Sequence, residues 1–384
     1  MKILWHSAAP WILSGYGIQT DLFAPRVAAL GHDVAISGYI GAHQLTGEWK
    51  GLTVYPAGTN NAIGMDVIGY HYEQHQADVC LALCDAWALS PKMMRLLNSA
   101  CWMPVDQDPL SSMNVDFLRE SGARPVAMAR YGQRVLEQAG FPSAYVPHGV
   151  DCQLFAPRDD RDGCRAAAGL GPDTFVIGIN AANRDVFRKG LPEQLCAFAS
   201  FRKRHPDSKL ILNMAYDHPK GLDLPTLLEN LGIGEDTGAV RFPDQGAYAA
   251  GDISSADLAM AFYGTLDLLS SCSYAEGFGV AVLEAAACGV PSVVSEGSAQ
   301  PEVGGPAAWV VKAQDFWVQA HQAWWHQPLI SEIEAAYEAA WLERENGEAH
   351  ARRAAARAHA EQYDADLVTV QFWKPFLDDL EASL

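Results

Sequence analysis

Residues 271–291 read SCSYAEGFGVAVLEAAACGVP, from Ser271 to Pro291. An apolar run ending near Leu269 precedes them and predicts a strand. Ser273, Tyr274 and Glu276 then make a loop. Gly277-Phe278-Gly279 opens a helix expected to reach about Cys288, with Gly289 and Pro291 closing it. Strand, glycine turn and helix in succession are the repeating unit of a parallel α/β sheet. Glycines at such a turn let a ligand approach bare backbone. The first amides of the helix have no acceptor within it and lie at the positive end of its dipole, which suits a diphosphate. Glu276 and Glu284 bracket this turn. At ~1.5 Å per residue they lie on the order of 10 Å apart, room for a sugar at one carboxylate, a ribose at the other and a diphosphate between.

The same alternation extends outward. Lys2–His6, Asp33–Ile36, Leu52–Tyr55, Val79–Leu83 and Cys101–Val105 read as strands, with Pro10 to Gly17 as a loop. Apolar positions Ile18, Leu22, Val27 and Leu30 predict a helix over 18–30, which Pro25 should kink or split. After Pro147-His148-Gly149-Val150-Asp151 the pattern restarts. Residues 156–173 are polar and read as a linker. Strands are expected at 175–179, 209–212, 240–242, 266–269 and 292–294, with a helix from Pro192 to Arg204. Helices broken at Asn346-Gly347 and a last apolar-periodic helix, Leu367 to Leu380, close the chain. The expected domains are 1–155, 156–365 and a C-terminal helix at 366–384 that packs back on the first.

At 384 residues the chain fits two domains with cores of their own. Hydrophobic residues make up 49% and charged residues 19%, which excludes a disordered or fibrous protein. The net charge is −19, and that weakens any general nucleic-acid or membrane-surface reading. Residues 1–150 carry only 9 basic and 12 acidic side chains, so nearly all the excess lies beyond them. Arg184, Arg188 and Lys189 stand out in that acidic remainder as a cation cluster at a strand-to-helix loop. Eight scattered cysteines, several in apolar runs, read as free thiols in a reducing cytoplasm. No leader peptide and no membrane-spanning stretch is expected.

Glu276-Gly277-Phe278-Gly279 with Glu284-Ala285 and Cys288-Gly289-Val290-Pro291 resembles the donor-site signature of retaining GT-B glycosyltransferases of family 4, the glycosyl transferases group 1. Three more segments follow in the family's order. Ser14-Gly15-Tyr16-Gly17 looks like its N-terminal glycine loop. Pro147-His148-Gly149-Val150-Asp151 looks like its end-of-first-domain motif. Arg184 through Lys189-Gly190 looks like its Arg…Lys-Gly element. The resemblance implies two Rossmann-like domains facing across a cleft, with the nucleotide sugar on the second, the acceptor on the first and the C-terminal helix returning to the first.

The resemblance also assigns roles. Glu284 would bond the nucleotide ribose and Glu276 the hydroxyls of the transferred sugar. The backbone of Phe278, Gly279 and Val280 would meet phosphate and sugar. Lys189, with Arg184 or Arg188, would neutralise the departing diphosphate, as fixed cations do where charge develops. Gly15 would let the first-domain loop reach the reaction centre. Tyr16, Asp85 and His148 are acceptor-side candidates, and Asp85 or Asp106 would stand where relatives carry a histidine. Retention without a metal or other cofactor is implied, the donor phosphate taking the acceptor proton. Asp106-Gln107-Asp108 and Asp364-Ala365-Asp366 match the Asp-x-Asp pattern of metal sites, yet acceptor contact suits Asp106 better at the end of a strand. The sequence leaves open a glycan, a small molecule, a protein side chain or a modified DNA base as acceptor, and sets no oligomeric state. A thin basic stretch at Lys92–Arg95 disfavours a lipid acceptor. The other readings are an epimerase or phosphorylase of the same fold and a non-catalytic nucleotide-sugar-binding protein.

Overall fold

Strand β1 (Lys2–Ser7) is buried from Ile3 onward, as a strand covered on both faces requires. It pairs in parallel with β2 (Asp33–Gly38), Ile3 opposite Val34. The remaining strands of this sheet are β3 (Gly47–Trp49), β4 (Leu52–Tyr55), β5 (Val79–Leu83), β6 (Ser99–Met103), β7 (Arg124–Ala127) and β8 (Ala144–Tyr145). Their order is β3-β4-β2-β1-β5-β6-β7-β8, and only β3 runs antiparallel to its neighbour. The computed structural model describes residues 1–42 and 45–384. A second sheet holds β9 (Val176–Asn180), β10 (Lys209–Asn213), β11 (Val240–Arg241), β12 (Leu268–Ser271), β13 (Ser292–Ser295) and β14 (Trp309–Val311). Its order is β11-β10-β9-β12-β13-β14, all parallel. Both sheets are Rossmann-like. Each reverses its winding once, between β1 and β5 and between β9 and β12. Ligands of such sheets bind at the carboxyl ends of the strands at that reversal.

The chain divides into two units. The first comprises Met1–Gly149, Trp317–Trp324 and Tyr363–Leu384; the second comprises Val150–Phe316 and Trp325–Gln362. The first unit is built around Trp5, Phe23, Trp102 and Trp373. The Trp373 ring lies 5.3 Å from that of Trp5, 5.8 Å from Phe23 and 4.8 Å from Trp102. Trp5 and Trp373 are fully buried, so the C-terminal segment is core to this unit. Arg26 with Asp366 at 2.7 Å and the N-terminus with Glu381 at 3.0 Å reinforce it.

Four local expectations are corrected. The first helix starts at Gly15, not after Gly17, because the Ser14 side chain accepts from the Gly17 N–H and caps it. It runs to Ala29 without splitting at Pro25; the proline costs one N–H donor, and Arg26 Nη1 donates to Leu22 O in the same turn at 2.8 Å. The polar segment 156–173 is not a bare linker. Asp160 caps a helix at Arg161–Ala167, and Arg165, only 1% exposed, pairs with Asp267 at 3.3 Å. A charge that reads as solvated is thus a buried tie. Finally, β15 (Ala313–Val318) and β16 (Ala323–Pro328) form a two-stranded hairpin absent from the sequence reading. Its tip, Trp317–Trp324, counts with the first unit and interrupts the expected 156–365 segment.

Candidate active site

In the second unit, the loop after β9 carries Arg184, Arg188 and Lys189, and the loop after β12 carries Ser273 to Gly279. The winding reversal puts these two loops side by side. Gly190 sets how closely they meet. Its φ is +56°, and a Cβ there would fall 2.3 Å from Cys272 O. Glycine is therefore required on both counts, conformation and space. Tyr274 N–H donates to Arg188 O at 2.8 Å across the same seam. Gly190→Ala is expected to destabilise this unit by about 2 kcal/mol or more, read from the urea midpoint.

This contact delivers two cations to Glu276. Lys189 Nζ lies 2.5 Å from Oε1, and Arg188 Nη1 lies 3.5 Å from Oε2. Ser273 Oγ donates to Oε1 at 2.7 Å, and the Glu276 N–H donates to Ser298 Oγ at 3.0 Å. Burial alone would push the Glu276 carboxyl up; Lys189 and Arg188 outweigh it and hold it at about 2. Glu276 is therefore an anion throughout the working range. Arg184 does not join the pair on Glu276. It is exposed, near Tyr248.

Glu284 differs. The helix Val280–Ala287 follows Gly279, which takes φ 106° as its N-cap. Glu284, on its second turn, is 3% exposed. Burial pushes its carboxyl up to about 7, against the pull of a bond from Tyr263 OH at 2.7 Å. Asn180 Nδ2 donates to that hydroxyl at 2.8 Å, and Asn213 Nδ2 donates to Asn180 Oδ1 at 2.9 Å. Three polar side chains thus orient one carboxylate. The sequence reading missed Tyr263, whose only signal was a polar tip within the apolar run before β12. It also missed Gln300, which donates to Ser273 O at 2.8 Å and stiffens the Glu276 loop.

In the first unit, β1 and β5 end at Ser7 and Leu83, so the start of the first helix, with Gly15 and Tyr16, and the loop holding Asp85 lie at the reversal. Gly15 is exposed, with nothing within 4 Å of where a Cβ would stand. Burial raises the Tyr16 phenol well above its ordinary value, and Asp85, Cys84, Tyr39 and Asp106 add to this. Tyr16, Asp85 and Asp106 therefore share one neighbourhood. His148 does not belong with them. It is 3% exposed, its ring sits edge-on to Trp102 at 4.6 Å, and burial lowers it to about 3. It packs in the aromatic core against Trp102. Among the described residues no three His, Cys, Asp or Glu side chains gather as a metal site. Asp108 pairs with Arg134 at 3.2 Å, and Asp364 caps the helix Ala365–Val368.

Known proteins share this fold. Residues 250–323 match the family model described as glycosyl transferases group 1, a stretch that holds Glu276, Glu284 and Tyr263. Sucrose-phosphate synthase from Thermosynechococcus elongatus superposes with a TM-score of 0.78 at 15% identity, over 100% of both chains. The fold is GT-B, and residues 250–323 carry the group 1 signature. HepE from Anabaena, solved in complex with UDP-glucose, matches with a TM-score of 0.68 at 17% identity over 98% of this chain and 100% of its own. In sequence, the chain is 31% identical over 183 residues to a GDP-mannose-dependent alpha-(1-6)-phosphatidylinositol monomannoside mannosyltransferase from Mycolicibacterium smegmatis. That match covers 46% of this chain and 44% of the relative, and the chain spans less than half the length of the curated relatives it matches.

Proposed function

We propose that this GT-B chain is a glycosyltransferase that moves a sugar from a nucleoside diphosphate sugar to an acceptor hydroxyl, with retention at the anomeric carbon. The observation that carries this reading is the pairing of Lys189 and Arg188 with Glu276, at a sheet reversal and next to the amino end of the helix Val280–Ala287. A UDP-glucose complex of the HepE relative and the GDP-mannose dependence of the mycobacterial one support a nucleotide-sugar donor.

In this reading the diphosphate meets the amides of Phe278, Gly279 and Val280, and Lys189 and Arg188 neutralise the charge that grows as it departs. With these cations supplying the countercharge, no step is placed on a metal. Glu276 turns to the sugar hydroxyls. Held at about 2 and tied to two cations, it is a poor base and a poor nucleophile, so the acceptor proton goes to the departing phosphate oxygen. Glu284 takes the ribose hydroxyls. Tyr16, Asp85 and Asp106 serve the acceptor. All eight cysteines are free thiols, which suits a reducing compartment such as the cytoplasm. No helix among the described residues is long and apolar enough to cross a membrane.

The test is donor turnover without an acceptor. The protein is mixed with UDP-glucose, GDP-mannose and other nucleoside diphosphate sugars, and released nucleotide is followed by mass spectrometry. Slow release from one donor is expected. Failure to bind or cleave any of them would sink the reading. In Tyr263→Phe, Glu284 loses its hydroxyl partner and titrates higher still. Nucleotide affinity is expected to fall about 5- to 30-fold as the ribose carboxylate loses its anchor, and the melting temperature should fall by a few degrees, as loss of one buried hydrogen bond predicts.

A further inference from the structure

The tip of the β15–β16 hairpin leaves two large indoles in water. Trp317 is 43% exposed and Trp324 is 41% exposed. Their ring centroids are 4.9 Å apart at 66°. The pair is held in place. Trp324 N–H donates to Asp108 O at 3.2 Å in an antiparallel bridge, and Trp317 Nε1 donates to Gln319 Oε1 at 3.1 Å. The bridge sets the indoles beside the segment Asp106-Gln107-Asp108, which follows the carboxyl end of β6, two strands along from β1. This neighbourhood is polar. Arg134 lies 3.2 Å from the Asp108 carboxylate. Gln107 is 3% exposed, and its Oε1 has no hydrogen-bond partner among the described residues. A buried amide oxygen without a partner is costly unless a ligand supplies the donor.

Exposed indoles beside carboxylates, an amide and a guanidinium match the two-sided chemistry of a sugar. The C–H face of a pyranose ring stacks on an aromatic ring, and its hydroxyls donate to carboxylate and amide oxygens. An acyl chain or an apolar peptide would leave those polar groups unanswered. We propose that the Trp317–Trp324 tip and the Asp106–Asp108 segment bind a carbohydrate, the sugar portion of the acceptor, so that the acceptor is a glycan or glycoside. This rests on the glycosyltransferase reading above.

The experiment is a glycan array probed with the full chain, its Trp317→Ala/Trp324→Ala variant and its Trp317→Phe/Trp324→Phe variant. UDP and GDP binding and the melting temperature serve as folding controls. Wild type is expected to bind a subset of glycans. The alanine variant should bind them about tenfold or more weakly, as loss of a stacked aromatic predicts, and the phenylalanine variant should stay within about threefold. A wild type blind to every glycan, or an alanine variant that binds as wild type does, overturns the proposal. It is equally overturned if glycan binding survives while the alanine variant loses a dimer in sedimentation, or detaches from phosphatidylglycerol vesicles. Those outcomes would give the tip to a second copy or to a membrane surface. A wild type that binds neither UDP nor GDP fails the glycosyltransferase reading instead, whatever the array shows.

Discussion

Lys189→Ala is expected to lower kcat about 10²- to 10³-fold, equivalent to about 3–4 kcal/mol of transition-state stabilisation. The Lys189 ammonium is largely shielded, 15% exposed against 12% for its Glu276 partner, so its charge acts with little screening. The departing diphosphate gains negative charge as the sugar bond breaks. A fixed cation stabilises that state more than the intact donor, so kcat falls more than donor affinity does. The variant has a second signature. Burial is the largest influence on Glu276 and pushes it up, whereas Lys189 is the largest opposing one. Removing the lysine leaves Arg188 at 3.5 Å as the nearest cation, and the Glu276 carboxyl titrates higher. The acid limb of the pH–rate profile should move up accordingly. An unchanged kcat, or loss confined to donor affinity, would remove Lys189 from the leaving-group role. Arg184→Ala, at an exposed side chain away from Glu276, should change kcat by less than about tenfold.

The fold was legible because both sheets are built from unbroken apolar runs such as Val79–Leu83 and Val176–Ile179, which have few alternatives to a buried parallel strand. The site was legible where glycine and charge coincide. Gly190, Lys189 and Glu276 are each unusual in their local context, and the winding reversal brings them together. What stayed hidden depends on distant contacts. Arg165 reads as a solvated linker charge until Asp267, 102 residues away, gives it a partner. Tyr263 reads as core until its hydroxyl is seen to donate a hydrogen bond to Glu284. His148 sits in a functional-looking motif, yet Trp102 claims it for packing. The hairpin strands mix polar and aromatic residues and carry neither a clean alternation nor a glycine turn, so period-based reading passes over them.

Acidification is expected to unfold the first unit before the second, because three buried neutral histidines lie in the first. His6 Nε2 is 2.9 Å from Ile63 O, and a carbonyl only accepts, so Nε2 carries the proton. Neutral His6 then presents Nδ1 as an acceptor to Ser37 Oγ at 3.1 Å, and Ser37 Oγ accepts from His71 Nδ1 at 3.0 Å. This chain is satisfied only while His6 is neutral, because a charged His6 would turn its Nδ1 from acceptor to donor. Burial lowers His6 and His71 to about 4 and His148 to about 3, against an ordinary value of 6.5. Their unfolded forms therefore take up protons first, and stability falls with pH from 6.5 toward 4. At pH 4.5 each histidine accounts for about 2–3 kcal/mol, and together they approach the whole stability of an ordinary domain, about 5–15 kcal/mol. In the second unit Glu284 works in the opposite direction over that window and offsets the half-buried His359, which burial lowers. Glu284 is raised to about 7 because burial disfavours its charged form, so its contribution to stability rises as pH falls from 7 to 4.5. Glu276, held at about 2, withdraws its contribution only below about 4.5. Hydrogen exchange across pH 7 to 4 should show the amides of β1, β2 and β5 losing protection while those of β9 and β12 keep it. Equal loss in both sheets would mean that these histidines open to water at little cost.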